Sequence, residues 1–561
     1  MKPFLCFLLF CFCFSNNVIS QQCTLSTDTA HLDVNNARVI LQASGDFFWD
    51  RNDAGFFVPK NDPSQPQTAT IFAGGLWLGG FDANGNFKTA AQTYGANGGD
   101  TDYWSGPLNA QGVTNGNICN DFDKLWKVLR SEINSHIADF ANDGDIDGPV
   151  PQSILEWPGR DNPQSLSANG FELPQGQVLA PFVDRNSNGE YEPMLGDYPD
   201  VKGDQAIWWV FNDQGGGAVH GETHGQPMNV EIHALAYGFS GQNDEDLENT
   251  TFYEFEVLNK RSENLDSAYI GLWLDTDIGC ASDDFVGCIS SEKIAFAYNA
   301  DSSDGDISCA CSSFGVLSYC QDIPVTAVKV LNSPTGTGGV DVGFSGFSIA
   351  ANEFPGAYPF TELNPYSAMA GLWGDGTPIT YGGSGYDTSS NQYHHFLMDG
   401  NPGIPSDWSF CTEDFPPKNF SILISSGTFS LAPGEGVSIT FAIMNKFGLS
   451  QPCPELTPII QMGNHIQTVF DQLSPTKEPY HNPTITHFYP NPLISEGTLT
   501  STGAPLAEVR LYDVSGQLVN VYKDLRSNEL SIKRGGLSAG FYSYQALLAD
   551  GQLAAGRIIM Q

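Results

Sequence analysis

Positive charge is what this 561-residue chain has least of: 24 Lys and Arg stand against 64 Asp and Glu, which gives a formal net charge of −40. A surface this anionic repels nucleic acid and anionic lipid, so the sequence predicts no nucleic-acid partner. The carboxylate surplus suits divalent cations. Solubility outside the cell explains the surplus equally well.

Several motifs and long apolar runs are also missing. No run after the N-terminus is long enough to cross a bilayer, so no transmembrane segment is predicted. The chain lacks the paired Cys-x-x-Cys spacing of structural zinc sites, the His-Glu-x-x-His of zinc peptidases and a Walker-type glycine loop. His220, His224 and His233, with Glu222 as a base, match no zinc-peptidase spacing, and a loop or surface role is the better interpretation.

The N-terminus has the pattern of an export signal. Lys2 supplies the positive start, residues 4–14 the apolar segment, and residues 18–20 a small-residue cleavage site. The sequence therefore predicts a signal peptide over 1–20 and a mature protein outside the cytoplasm.

Cysteine usage fits an oxidising compartment. Of 12 cysteines, the three in the signal peptide (Cys6, Cys11 and Cys13) are removed with it, so nine remain, and most of them should pair. The local disulfide candidates are Cys280 with Cys288, and partners among Cys309, Cys311 and Cys320. An odd number leaves one cysteine without an intramolecular partner.

The composition favours short strands joined by many turns. Gly 60 and Pro 34 are abundant, and apolar residues alternate with Glu254 and Glu256 at Tyr253, Phe255 and Val257. Two helices are expected, over residues 121–140 and 455–473. The predicted fold class is mainly β: a multi-domain, β-sandwich-like body with a few helices, plus a C-terminal β-sandwich.

A composition shift divides the chain. Residues 21–473 form the acidic, mainly β body, which leaves open a division into two subdomains near 120–180. The proline-rich stretch 474–483 reads as a linker. Residues 484–561 carry equal numbers of acids and bases and are therefore neutral.

The neutral end carries four motifs in order. They are Tyr489-Pro490-Asn491-Pro492, Leu511-Tyr-Asp-Val-Ser-Gly516, Gly535-Gly-Leu-Ser-Ala-Gly540-Phe-Tyr542 and Gly556-Arg-Ile-Ile-Met-Gln561. Together they resemble the C-terminal (type A) sorting domain of type IX secretion cargo. The resemblance implies an immunoglobulin-like fold, recognition by the outer-membrane translocon and removal by a sortase-like peptidase. It places the mature protein at the cell surface or in the medium.

The body resembles large uncharacterised secreted proteins of the same export system. The resemblance rests on segments such as Ile71-Phe-Ala-Gly-Gly-Leu-Trp-Leu-Gly-Gly80 and Gly376-Thr-Pro-Ile-Thr-Tyr-Gly-Gly-Ser-Gly-Tyr386. It implies no activity.

Two loops have the spacing of a calcium site. Oxygen-bearing side chains at alternate positions, followed by glycine, can point inward around a hard cation. The first loop offers Asp184, Asn186, Asn188, Glu190, Glu192 and Asp197, but position twelve is Leu195 instead of the Glu of an EF-hand. The second offers Asp143, Asp145 and Asp147. A plain Asx-rich turn is the alternative for both.

A third acidic group, Asp275, Asp277, Asp283 and Asp284, follows the strand through Trp273. Two interpretations compete: a calcium ion that orders the loop, which is preferred, or the acid and base of a glycosidase. Calcium is accordingly the expected cofactor.

Two functions remain open. The first is a non-enzymatic, calcium- and disulfide-stabilised surface protein for adhesion, scaffolding or glycan contact. Exposed members of the set Trp77, Trp104, Trp208, Trp209 and Trp373 could stack on sugars, although core packing suits most of them better. The second is a secreted hydrolase that uses the Asp275–Asp284 group.

Overall fold

The computed structural model describes the chain except residues 1–21, 61–67, 216, 218, 242, 306–308, 310–317, 337–339, 351–362, 474–485, 490–492, 502–503, 514–517, 524, 539, 550–552 and 561. The predicted signal peptide and the whole of the predicted linker lie outside the described residues. The chain divides into two compact units, Met1–Leu473 and Ser474–Gln561. With 38% strand and 15% helix, the structure confirms the mainly β fold class.

The first unit contains the following strands: β1 (Thr29–Leu32), β2 (Arg38–Gln42), β3 (Asp46–Phe47), β4 (Phe56–Phe57), β5 (Ala69–Ile71), β6 (Ala73–Asp82), β7 (Phe87–Ala91), β8 (Trp104–Ser105), β9 (Trp126–Leu129), β10 (Phe182–Val183), β11 (Tyr198–Pro199), β12 (Gln205–Asn212), β13 (Val230–Gly238), β14 (Thr250–Asn259), β15 (Leu265–Thr276), β16 (Asp284–Ile289), β17 (Ile294–Asn299), β18 (Val325–Asn332), β19 (Gly346–Ala350), β20 (Phe420–Leu431) and β21 (Gly436–Lys446).

Helices in this unit are mostly short: α1 (Gly95–Gly98), α2 (Gly116–Asp121), α3 (Arg130–Asp143), α4 (Gln152–Glu156), α5 (Ser165–Asn169), α6 (Glu245–Glu248), α7 (Leu363–Met369), α8 (Phe410–Glu413) and α9 (Thr457–Leu473). Single 3₁₀ turns occur at Pro193–Leu195 and Ser290–Glu292. No helix among the described residues is both long and apolar enough to pass through a bilayer.

Two large antiparallel sheets make up the first unit. One has ten strands in the order β19-β20-β15-β6-β3-β2-β4-β5, with β1 on β2 and β7 on β6. The other has nine, in the order β16-β17-β18-β21-β14-β13-β12-β8, with β9 on β12. β10 and β11 form a separate small hairpin.

Aromatic side chains join the two sheets into a sandwich. The ring of Phe47 in the ten-stranded sheet lies 5.5 Å from Phe255 and 6.1 Å from Trp209 in the nine-stranded sheet, centroid to centroid. The Trp209 indole N–H donates to the carbonyl of Ser44 at 3.0 Å. All three rings are buried. Packing of this kind fixes the sheets face to face, because tilted and edge-to-face aromatic pairs add to the hydrophobic gain.

The predicted strand through Tyr253 is confirmed as β14, whose Glu254 and Glu256 are only partly buried between buried neighbours. The helix predicted over residues 455–473 is confirmed as α9. The helix predicted over 121–140 is wrong in its first half. There, buried and half-buried residues alternate in β9, whose Trp126 pairs with Trp208 of β12. The helix α3 begins only at Arg130, where Glu132 accepts the backbone N–H of Leu129 at 2.9 Å.

The second unit contains β22 (Thr486–Tyr489), β23 (Glu496–Ser501), β24 (Leu506–Asp513), β25 (Leu518–Tyr522), β26 (Glu529–Lys533), β27 (Gly540–Leu548) and β28 (Leu553–Met560). They form a three-stranded sheet, β22-β23-β26, and a four-stranded sheet, β25-β24-β27-β28. The two sheets share one apolar core, which includes Leu499, Ile532, Val509 and Ile558. The arrangement matches the β-sandwich expected for this end of the chain.

Disulfide bonds link Cys23 to Cys119, Cys280 to Cys309 and Cys411 to Cys453. Cys320 is also disulfide-bonded, and Cys311 lies outside the described residues. The predicted pairing of Cys280 with Cys288 is wrong. Cys288 is free because β16 holds it in the core, where its thiol meets the carbonyl of Leu397 at 3.5 Å.

A buried histidine ties the two sheets together. His220 places Nδ1 2.7 Å from the carbonyl of Thr89 in β7 and Nε2 2.7 Å from the carbonyl of Asp213, just after β12. Since both partners only accept hydrogen bonds, both ring nitrogens donate and the ring is an imidazolium. The carboxylates of Asp102 and Asp213 lie 3.7 and 3.5 Å away. Burial alone would lower the pKa of His220, but these acids and the backbone carbonyl outweigh it and raise the pKa to about 9.

This imidazolium predicts a loss of stability in alkali. A folded-state pKa above the unfolded value of 6.5 gives stability that is complete below pH 6.5 and lost as pH rises through 9. The loss should be about 3 kcal/mol, measured as the free energy of unfolding in urea from pH 7 to 10. His220→Gln should be less stable at pH 7 but should lose less stability over this window. An equal alkaline slope in the variant would refute the assignment.

Candidate functional site

The acidic group after Trp273 lies where the chain passes from one sheet to the other. Asp275 is near the end of β15 in the ten-stranded sheet, and Asp284 begins β16 in the nine-stranded sheet. Asp277 and Asp283 stand in the connection. A fifth acid, Asp304, joins them from the segment after β17. It lies 20 residues beyond Asp284, so the sequence pattern around the group did not indicate it.

Asp275 has hydrogen-bond partners of its own. Its carboxylate accepts the Tyr94 hydroxyl and, at 3.2 Å, the hydroxyl of Ser421 in β20. The side chain is buried, and burial raises its pKa to about 6. Asp275 is therefore fixed in the interior by two hydroxyl donors.

The connection folds around the other carboxylates. Backbone N–H groups donate to them: Ile278 to Asp284 at 2.9 Å, Gly305 to Asp283 at 3.1 Å, and Cys280 to Asp304 at 3.0 Å. Carboxylate oxygens of Asp283 and Asp304 and the sulfur of Cys280 lie within 4.8 Å of one another. That sulfur is bonded to Cys309 and is therefore no thiolate ligand.

Burial and mutual repulsion raise the pKa values of this group. Burial, followed by the charge of Asp275, raises the pKa of Asp277 to about 8. Burial, with a further contribution from Asp283, raises the pKa of Asp304 to about 6. The pKa of Asp284 rises well above its usual range, first through burial and then through Asp277, Asp283 and Asp304.

Several buried side-chain oxygens near these acids accept no hydrogen bond from the described residues. They include Oδ1 of Asp277, Oδ1 of Asp284 and Oδ1 of Asn299. Asn299 is paired directly with Asp284 in the β16–β17 register. An unsatisfied buried acceptor is costly, so the oxygens here are suited to binding a cation. We call Asp277, Asp283, Asp284, Asn299 and Asp304 the crossover cluster.

The loop at Asp184 is closed by its own hydrogen bonds. The Asp184 carboxylate accepts the N–H groups of Ser187 and Gly189 at 2.6 and 2.7 Å. Glu192 accepts the amides of Asn186 and Asn188, and Asn188 accepts the N–H of Glu190 at 2.8 Å. Buried Asp197 accepts the N–H groups of Arg185 and Glu192, both at 2.8 Å. These are the bonds of an Asx-rich turn, and calcium binding here stays a prediction.

The second loop follows α3 and is exposed. Asp143 accepts the N–H of Asp145 at 3.1 Å. The neighbouring charges of Asp139 and Asp143 raise the pKa of Asp147. Calcium binding in this loop also stays a prediction.

The candidate histidines do not share a site. His220 is bound in the sheet-to-sheet network, His224 is exposed, and His233 contacts Glu231 at 2.9 Å. The predicted loop or surface role fits His220 and His224, which lie in loops, although the His220 ring is buried. It is wrong for His233, which is buried in β13. Glu222 accepts the N–H and hydroxyl of Thr93, and burial raises its pKa to about 7.

All five tryptophans considered for sugar stacking are core residues. Trp77, Trp104, Trp208, Trp209 and Trp373 are each at most 6% exposed. None of them can stack on a surface sugar, because other rings and strands cover them. The exposed aromatic side chains of the body include Tyr381 at 53% and Tyr393 at 63%.

The sorting motifs fall on the ends and edges of the C-terminal sandwich. Tyr489 ends β22 and is exposed, whereas Pro490, Asn491, Pro492 and Gly516 lie outside the described residues. Gly540 begins β27. Two residues later, the buried Tyr542 donates its hydroxyl to the carbonyl of Ser538 at 3.0 Å.

Three solved structures show weak likenesses to this chain. CopC from Methylosinus trichosporium OB3b is 17% identical, over 13% of this chain and 90% of its own, with a TM-score of 0.11. A polysaccharide lyase is 8% identical over 59% of this chain and 34% of its own, with a TM-score of 0.18. Dimeric latent PorU from Porphyromonas gingivalis is 11% identical over 64% of this chain and 32% of its own, with a TM-score of 0.12. Scores this low say nothing about fold or function.

A family match is confined to the end of the chain. No curated protein matches the sequence. Residues 487–561 match the secretion system C-terminal sorting domain. This range covers the second sandwich from within β22 to the last residue. The chain therefore ends in a sorting domain of the kind that marks type IX secretion cargo.

Proposed function

We propose that the first unit is a non-catalytic extracellular protein for adhesion, scaffolding or glycan contact, stabilised by disulfides and calcium and delivered by the sorting domain. The observation that carries this proposal is the burial of the acidic cluster: Asp275, Asp283, Asp284 and Asp304 are each at most 7% exposed. A carboxylate that acts on a polysaccharide must reach it. Asp275 instead accepts two side-chain hydroxyls, and the other three carboxylates accept backbone N–H groups.

The alternative, a secreted glycosidase, needs two carboxylates that flank a substrate bond. Asp275 is held by Tyr94 and Ser421, and Asp284 is fully buried. A surface depression of about 450 Å³ is lined by other residues, among them Asp28, Asp121 and Lys124. The geometry therefore favours the non-catalytic function.

Two exposed tyrosines are the proposed glycan contact. Tyr381 packs on Trp408, with ring centroids 5.0 Å apart. Tyr393 forms an antiparallel β-bridge with Thr380, the residue before Tyr381. The buried Trp408 anchors the first ring, so Tyr381 loses little freedom when a ligand binds. Ring faces of this kind contact the apolar faces of sugars.

Removal of the sorting domain should stop export at the periplasm. A chain truncated after residue 483 should accumulate there, because the machinery that recognises the domain has nothing to bind. Cell fractionation followed by immunoblotting measures the distribution. The matched control is Lys523→Ala, an exposed change within the same domain. Truncated protein at the cell surface would show that another segment directs export.

A glycan array and a polysaccharide-hydrolysis screen test the function of the secreted protein. We expect binding without hydrolysis. The double variant Tyr381→Ala, Tyr393→Ala should weaken binding at least about tenfold, which corresponds to ~1.4 kcal/mol. Ile404→Ala, also exposed, is the control and should bind normally. Hydrolysis that Asp275→Asn abolishes would establish the glycosidase instead.

A further inference from the structure

The crossover cluster brings oxygen-bearing side chains together from three separate segments, and carboxylate oxygens of Asp283 and Asp304 lie within 4.8 Å of each other. Asp277, Asp283 and Asp284 come from the connection between β15 and β16, Asn299 from the end of β17, and Asp304 from the segment paired with Cys320. The disulfide between Cys280 and Cys309 ties two of these segments together. The ligand set is therefore held by covalent and sheet contacts on several sides.

The free oxygens are an observation separate from the clustering of charge. Asp284 and Asn299 are both 0% exposed, yet each has an Oδ1 without a donor among the described residues. Asp284 already accepts Ile278 N–H with Oδ2, so its two oxygens have different tasks. Neither water-exposed turn at Asp184 or Asp143 leaves a fully buried oxygen in this state among the described residues.

The charges around the cluster also favour a cation here. Within the described part of the chain, no Lys or Arg forms an ion pair with Asp277, Asp284 or Asp304. Some buried acids elsewhere do have such partners, as Asp46 has Arg51 and Glu231 has Lys260. Several carboxylates in one buried volume stay ionised only when a positive charge joins them.

We propose that Asp277, Asp283, Asp284 and Asp304, with the amide oxygen of Asn299, form a calcium site that locks the crossover between the two sheets. This deepens the calcium part of the proposed function, on which it rests. Calcium fits better than zinc, since every available ligand is a hard oxygen and the one sulfur is in a disulfide. It fits better than magnesium, which keeps several waters and takes only one or two carboxylates.

Calorimetric melting of the secreted full chain tests the site. Calcium at 5 mM should raise the melting temperature of the EDTA-treated protein by roughly 3–6 °C, because an ion that binds only the folded state stabilises it. Asp277→Asn should lose most of this rise while still folding, since Asp277 is only partly buried. Asp145→Asn and Asp184→Asn are the matched controls and should keep it.

Terbium luminescence gives a second, direct measurement on the same proteins. Terbium should bind the native chain with calcium-competable emission, and Asp277→Asn should weaken that binding at least tenfold. Binding lost in Asp145→Asn or Asp184→Asn but kept in Asp277→Asn would place the ion in an exposed loop and overturn the inference. An unchanged melting curve without terbium binding would also overturn it. The glycan and hydrolysis assays are separate, so either proposal can fail alone.

Discussion

The fold buries carboxylates although the chain has few cationic side chains to pair with them, and the rest of the structure depends on how these carboxylates are stabilised. With 64 acids and 24 Lys and Arg, most acids cannot have an ion pair. Asp102 and Asp213 both lie beside the charged His220. Glu231 pairs with Lys260 and His233. Each arrangement stabilises a sheet or a contact between sheets. The crossover cluster buries Asp283, Asp284 and Asp304 together, and within the described residues no Lys, Arg or His pairs with Asp284.

The position of that cluster follows from topology. A strand that leaves one sheet and enters the other turns its backbone through a segment with no ladder partners, so its N–H groups need other acceptors. Carboxylates supply them: Ile278, Cys280 and Gly305 all donate to Asp side chains. The buried carboxylates therefore have two opposite effects: they repel one another, and they accept the hydrogen bonds of the backbone N–H groups in the crossover.

Features that depend on a short stretch of sequence were predicted correctly. Alternation at Tyr253, Phe255 and Val257 predicted β14, and the motifs after Tyr489 predicted the terminal sandwich and its family. Local pattern failed where tertiary pairing decides. Trp126 fits a helical stripe, but it becomes part of β9 because Trp208 offers a strand partner. Cys288 was matched with Cys280 by proximity in the chain, whereas β16 turns Cys288 into the core.

The candidate site was predictable in part for the same reason. Asp277, Asp283 and Asp284 adjoin one another in the chain and could be found by their spacing. Asp304 and Asn299 reach the cluster only through the β16–β17 ladder and the Asp304–Cys320 pairing, which no local pattern encodes. The suggestion that some of the tryptophans are exposed failed for a different reason: the sequence around a tryptophan does not show whether its ring lies in the core or on the surface.

Export and activity can be assigned to different units of the chain. The terminal sandwich builds its core from its own residues, Phe488 to Met560, and is electrically neutral. The first unit holds the surplus charge, the disulfides and the crossover cluster. Because the family match stops at the terminal sandwich, it fixes the export route and leaves the activity to be argued from the first unit alone. There, the buried carboxylates argue for a site that maintains structure, and any contact with a partner has to come from exposed side chains such as Tyr381.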